Sequence, residues 1–402
     1  MTAKVTPPPR KAKKAASTRR APRSTAPPPP DPVTAYATDV TTGAIVAGRA
    51  VRLACQRHLT DLERQRTADF PYYFDRAAAE HVIAFFPTFL TLEDGRPFDL
   101  PPWLQFCYGS IFGWKRVSDG LRKYVYGFFE TSKGSGKTPS GGGIGLYCQS
   151  FDNEPYGEIY SAGFDKGQGS IILNDAIRMA TASADLAGEL EIGKYNITNP
   201  SNGAFFRAVS SEHRGKSGPR PSVVLGDEIH EHRDGRVINK LTAGFKFRKQ
   251  PLALLFTNSG SDKTSYCWEL HSKSVDVLEG VSRDEQWFAF VCHLDPCDSC
   301  FTEGHRQPKD GCLHCDDWRD RRVWPKVAPA LGIVIQEKYL QDAVDMALSV
   351  PSEYALKRRL NFCIWTETHQ VWIQSDHWQA CEVPEIFESL DGARAAAFGS
   401  SA

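Results

Sequence analysis

Thr131-Ser132-Lys133-Gly134-Ser135-Gly136-Lys137-Thr138 decides the fold of this chain. The octapeptide follows a short β-prone run over residues 124–129 and precedes a helix that the pattern starts at Thr138. That is the strand–loop–helix setting a phosphate-binding loop needs. Gly134 and Gly136 permit backbone geometry closed to residues with a Cβ, so amide N–H groups can converge on phosphate oxygens. Lys137 would neutralise the β and γ phosphates, and the Thr138 hydroxyl would ligate magnesium. The new helix adds its positive N-terminal end. Thr131 stands where such loops usually begin with glycine.

Outward from this loop, Val223-Val224-Leu225-Gly226-Asp227-Glu228 is an apolar strand ending in two acids, about ninety residues after Lys137. In a P-loop ATPase the strand-end aspartate holds magnesium, and the glutamate after it polarises the attacking water. About thirty residues farther, Leu254-Leu255-Phe256-Thr257-Asn258-Ser259-Gly260 is a third apolar strand with a small polar exit. Thr257 and Asn258 suit a sensor of the γ-phosphate that relays hydrolysis. Further short strands are expected over residues 158–162 and 205–209. A helix is expected over 167–180 and a buried one over 103–114. Ala78, Val82, Phe85 and Phe86 keep helical spacing up to Pro87, which the reading takes as that helix's end. Residues 34–65 read as extended chain followed by a helix. Strands alternating with helices imply βαβ units and a parallel sheet.

Composition bounds the function class. Hydrophobic residues at 41% and charged residues at 24% are ordinary for a globular chain of 402 residues, and no apolar run is long enough to span a membrane. No apolar leader opens the sequence, so the expectation is a cytoplasmic protein. Forty-eight basic residues balance forty-eight acidic ones, unevenly. Residues 1–34 hold eight Lys/Arg, nine prolines and the single acid Asp31, and read as a disordered tail. Forty basic against forty-seven acidic residues remain in the body, so DNA contact there must be a local patch.

Cysteine usage points to metal rather than disulfides. Cys297-x2-Cys300 and Cys312-x2-Cys315 have eleven residues between the pairs, a spacing that lets four thiolates surround zinc. Cys292, His293, His305 and His314 are alternate ligands, and free thiols or a redox pair are the competing reading. A structural zinc over about 292–318 is the expectation.

With these residues in hand, the chain resembles the large terminase subunits of tailed double-stranded DNA viruses, from about Glu80 to Leu390. The basic Lys133 inside the loop and the missing first glycine both fit that family. So does Leu100-Pro101-Pro102-Trp103-Leu104-Gln105, where the resemblance makes Gln105 an adenine contact. Asp316-Asp317-Trp318, Trp324, Gly332, Asn361 and Trp372 fall where the family links motor to nuclease. The resemblance implies an α/β, ASCE/RecA-like P-loop NTPase in a three-layer sandwich with a mainly parallel sheet. A small zinc-ribbon-containing helical linker lobe would accompany it. Expected boundaries are 1–34 for the tail, 35–262 for the ATPase, 263–392 for the linker and 393–402 for the start of an absent nuclease domain. No cleavage is then expected of the chain.

The implied activity is ATP hydrolysis with magnesium, driving DNA into a procapsid from a homo-oligomeric ring. The implied partners are double-stranded viral DNA, the portal protein and the small terminase subunit, in a host cytoplasm. A ring motor of this kind needs an arginine from a neighbour. The resemblance places it shortly before the Asp-Glu strand, at Arg214, with Arg207 and Arg220 as competitors. Two other readings stay open: a superfamily 2-like nucleic-acid helicase, and a catalytically inactive scaffold.

Overall fold

Asp31 accepts hydrogen bonds from the Val33 and Thr34 amides, both at 3.0 Å, and so caps helix α1, Pro32–Thr41. The computed structural model describes residues 30–210 and 218–366. The expected tail boundary at 34 falls inside a helix. The expected extended stretch after residue 34 is likewise helical, because a proline at the first helical position behind an aspartate cap starts a helix well.

Helix α2, Arg49–Arg64, follows, then strand β1, Tyr72–Phe74, and helix α3, Arg76–Phe89. Pro87 does not end α3 as expected. The helix runs two residues past it, with Thr88 Oγ1 donating to the Ala84 carbonyl at 2.7 Å and the Leu90 amide to that of Phe86 at 2.8 Å. Helix α4, Pro102–Gly113, is buried nearly all round, as the aromatic run required. Each large side chain buried this fully contributes roughly 1.5–3 kcal/mol. Strand β2, Trp114–Arg116, pairs antiparallel with β1.

The central sheet begins with β3, Tyr126–Glu130, which feeds the glycine loop and helix α5, Lys137–Phe151. Gly145 of α5 has no room for a Cβ, which would lie 2.3 Å from the Phe206 ring. The glycine run in that helix thus serves close packing on the sheet. Next come β4, Glu158–Gly163; the short α6, Lys166–Gly169; α7, Ile171–Ala182; and α8, Ala184–Glu189. The single helix expected over 167–180 is thus two, broken at Ser170. A meander follows: β5, Glu191–Ile192; β6, Asn196–Asn199; and β7, Ala204–Ser210. Strand β8, Pro221–Gly226, leads to a 3₁₀ turn, Ile229–Glu231, and α9, Arg236–Thr242; after a second 3₁₀ turn, Phe245–Phe247, comes β9, Leu252–Thr257. Helix α10, Tyr266–Leu278, then returns the chain to β10, Trp287–Val291.

The eight strands order as β10-β3-β9-β8-β4-β7-β6-β5. All pairings from β10 to β7 are parallel; the β7–β6 and β6–β5 pairings are antiparallel, so in this sheet β6 alone runs against the other strands. Every residue of β8 and β9 is buried, which is why both read as unbroken apolar runs rather than alternating ones. The sheet outruns the expected boundary at 262, because β10 pairs residue for residue with β3. The fold is a mixed α/β one with a mainly parallel sheet.

Beyond β10 lie α11, Asp298–Thr302; a 3₁₀ turn, Arg321–Lys326; α12, Glu337–Ser349; and α13, Pro351–Phe362. No strand occurs among the described residues 292–318, so the cysteine segment is a short helix among turns, not a ribbon. No helix among the described residues is long and apolar enough to cross a membrane.

Candidate functional site: the phosphate loop and its closing segment

The glycine loop sits between the carboxyl end of β3 and α5, beside the ends of β8 and β9. Ligands of parallel α/β sheets bind at such strand ends. Gly134 and Gly136 take φ of +85° and +90°, so the backbone does use the left-handed freedom their sequence offered. Thr131 is not among the residues with positive φ, so a side chain there carries no backbone strain. Its hydroxyl is in use: Lys137 Nζ donates to Thr131 Oγ1 and Thr131 O, both at 3.0 Å, and to Ser132 O at 3.1 Å. The lysine is thus folded over its own loop. Burial pushes its ammonium below the usual value, while carboxylates nearby, Glu228 foremost, oppose that.

Thr138 and Asp227 meet as expected, with Thr138 Oγ1 donating to Asp227 Oδ2 at 3.0 Å across 89 residues of chain. Burial, and then the neighbouring Glu228, push the Asp227 carboxyl up to about 6, against the Thr138 hydrogen bond and the charge of Lys137. These two oxygens are hard donors of the kind magnesium takes. Glu228 has φ 47° and ψ 50°, a left-handed conformation that costs a residue with a Cβ and is held where the surroundings impose it. Its Oε2 is buried with no hydrogen-bond partner among the described residues, although His230 Nδ1 lies 3.3 Å away. A buried acceptor left open at the end of β8 is suited to take a proton from water.

Thr257 and Asn258 bridge the two halves of this site. Asn258 Nδ2 donates to Thr131 O at 2.7 Å, in the phosphate loop. Thr257 Oγ1 accepts from the His230 amide at 3.1 Å, two residues past Glu228. His230 was not singled out in the sequence, though its place in Asp227-Glu228-Ile229-His230 was a signal. Lys133 and Gly134 are exposed, and Ser135 Oγ donates to Ser132 O at 2.9 Å. Gln105 makes no hydrogen bond to the loop among the described residues. Its side-chain amide donates to Leu100 O at 2.7 Å, just before its own helix. Arg214 lies outside the described residues. Arg207 is exposed on β7 with its guanidinium 4.3 Å from the Phe205 ring centroid, and that of Arg220 stands 4.9 Å from Phe247's.

Two groups of partners come from far along the chain. The Lys133 amide donates to Leu360 O at 2.8 Å, and the Ser132 amide to Val327 O at 3.1 Å, so residues of the C-terminal helical segment close over the loop. Glu130, fully buried at the end of β3, accepts from Ser259 Oγ at 2.6 Å and Trp365 Nε1 at 2.8 Å, and lies 2.7 Å from His271 Nδ1. Burial would raise this carboxyl, but the His271 charge and the three hydrogen bonds hold it below the usual range.

The four cysteines do converge. Their sulfurs all lie within 4.8 Å of one another, and Cys297 Sγ is 3.8 Å from Cys312 Sγ. Tetrahedral zinc with sulfur at about 2.3 Å spaces its ligands about 3.8 Å apart, so the donor set fits. Hydrogen bonds from the His314 amide and then from Cys315 lower the Cys312 thiol. The lobe is not isolated from the nucleotide loop. Gln307, between the cysteine pairs, exchanges two 3.0 Å hydrogen bonds with the Trp365 backbone.

Comparison with known proteins agrees with this geometry. Residues 102–275 match the family model of the terminase large subunit ATPase domain. Residues 313–400 match that of the terminase large subunit endonuclease domain. The expected absence of the nuclease part is thereby corrected: the match begins within the segment read as a linker, some eighty residues before the strand where it was sought. Protein YmfN of Escherichia coli strain K12 is 22% identical over 176 residues, which are 44% of this chain and 35% of that protein. The crystal structure of the HK97 bacteriophage large terminase shares the fold, with a TM-score of 0.59 and 20% identity over 71% of this chain and 55% of that one. The chain thus spans about a third and about half of these two relatives' lengths. By its two matched segments, its strand order and the loop they surround, this chain is one that matches both domain models of the terminase large subunit.

Proposed function

We propose that this chain is the ATP-hydrolysing motor subunit of a viral DNA-packaging machine, translocating double-stranded DNA into a procapsid in the host cytoplasm. The observation that carries the reading is the 3.0 Å hydrogen bond of Thr138 with Asp227, beside an open Glu228 carboxylate and a loop with two left-handed glycines. The sheet is read as the centre of a RecA-like three-layer ATPase. Magnesium held by Thr138 and Asp227 would offset phosphate charge. Lys137 exchanges its loop carbonyls for the β and γ phosphates, which supply stronger, charged acceptors. Glu228 orients a water and takes its proton. Thr257 and Asn258, tied to both loops, pass the change on. A ring of chains, each lending Arg214 to its neighbour, would run on the portal protein with the small terminase subunit.

A helicase would add a second parallel sheet, and none exists among the described residues after β10. The deciding measurement is ATP turnover with and without double-stranded DNA: magnesium-dependent hydrolysis that DNA stimulates is expected, and no turnover under any condition would leave the scaffold reading.

Zinc is the second proposed cofactor, held by Cys297, Cys300, Cys312 and Cys315. Elemental analysis of protein purified without chelator should give about one zinc per chain. Less than about a tenth of an equivalent would refute the site. Because Gln307 ties this lobe to Trp365, chelation is expected to lower the melting temperature as well as disorder residues 292–318.

A further inference from the structure

Helix α13 reaches the nucleotide loop from the opposite end of the chain. Leu360 O accepts the Lys133 amide at 2.8 Å and Asn258 Nδ2 at 3.4 Å. The residue before it, Arg359, is only 8% exposed. Its Nη1 donates to Ser261 Oγ at 3.3 Å, directly after the coupling segment. That is its only side-chain hydrogen bond among the described residues, although a guanidinium carries five donors. Burial lowers its pKa from the usual arginine value, and the carboxylates of Glu231 and Glu228 oppose that. A buried cation with one side-chain hydrogen bond, next to the Leu360 carbonyl that holds the Lys133 amide, is placed to receive a further anion at the loop.

We propose that Arg359 is a cis-acting arginine of the nucleotide site, contacting the γ-phosphate end of a bound nucleoside triphosphate. The inference rests on the ATP reading above and adds a residue from the segment that matches the nuclease model. A nucleoside diphosphate lacks the charge that draws the guanidinium from Ser261, so the contact forms only with the triphosphate. Arg359 belongs to the same chain as the loop it serves, which separates it from a finger lent by a neighbour.

The test is Arg359→Gln, which keeps a donor for Ser261 and removes the charge. Titration with ATPγS and ADP in magnesium should show at least a tenfold loss of ATPγS affinity with ADP affinity unchanged, and turnover down about 100-fold. Arg359→Lys should recover part of both. Mixing Arg359→Gln chains with Glu228→Gln chains should restore nothing, because both residues act in cis. Equal weakening of ATPγS and ADP, or no change in either, overturns the assignment in favour of a packing role. If the wild-type chain binds neither nucleotide, the ATP site itself is overturned and this inference with it.

Discussion

Replacing Glu228 by glutamine is expected to lower ATP turnover about 10³-fold, the scale of a lost general base, while the nucleotide still binds. The substitution keeps the size of the side chain and the left-handed backbone of the site, and removes only the ability to accept the water's proton. Lys137→Ala should lose binding as well as turnover, since the proposed site brings its ammonium onto the phosphates. Filter binding of ATP beside a turnover assay separates the two. Wild-type turnover in Glu228→Gln would remove this residue from the mechanism. The same variant tests the proposed ring: mixed with Arg214→Ala chains, it should regain some activity, each chain giving its neighbour what the other lacks. A supplied arginine is typically worth roughly 10³–10⁵ in rate, so even partial recovery is measurable. No recovery would show that Arg214 does not act between subunits.

Glu130→Ala should be strongly destabilising, by about 3–5 kcal/mol. The carboxylate is fully buried, and its loss would strand the Ser259, His271 and Trp365 donors together. Glu130→Gln should cost less, since one oxygen remains. The pH dependence has a definite sign. Glu130 titrates below an ordinary carboxylate in the folded chain, so its stabilisation is present above the unfolded value and lost as pH falls through the folded one. Urea melts of wild type and Glu130→Gln should therefore differ most at neutral pH and converge in acid. A difference that is constant with pH would mean that packing, and not charge, is what Glu130 supplies.

The sequence by itself determined the parts of the site that are local. Two glycines at fixed places in an octapeptide dictate a left-handed loop, and two acids after an apolar run dictate a carboxylate pair at a strand end. The paired Cys-x2-Cys steps likewise bring sulfurs together through short turns. All of these depend on the backbone within a few residues, which is what spacing records. The alternation of strands and helices was legible for the same reason, except where a cap or a proline was misjudged.

Only the tertiary structure decided which distant segments close on the loop. Trp365 meets Glu130 across 235 residues, and Leu360 and Arg359 reach Lys133 and Ser261 from a helix whose own pattern is merely amphipathic. The place of β10 beside β3 was equally hidden, because an apolar run states that a strand is buried and not which strand it lies against. Gln105 shows the converse, since a motif position named it, yet its amide is spent on Leu100. Periodicity encodes how each segment is buried. Which segments then meet is fixed by the packing of the whole core, where no short stretch of sequence holds both partners.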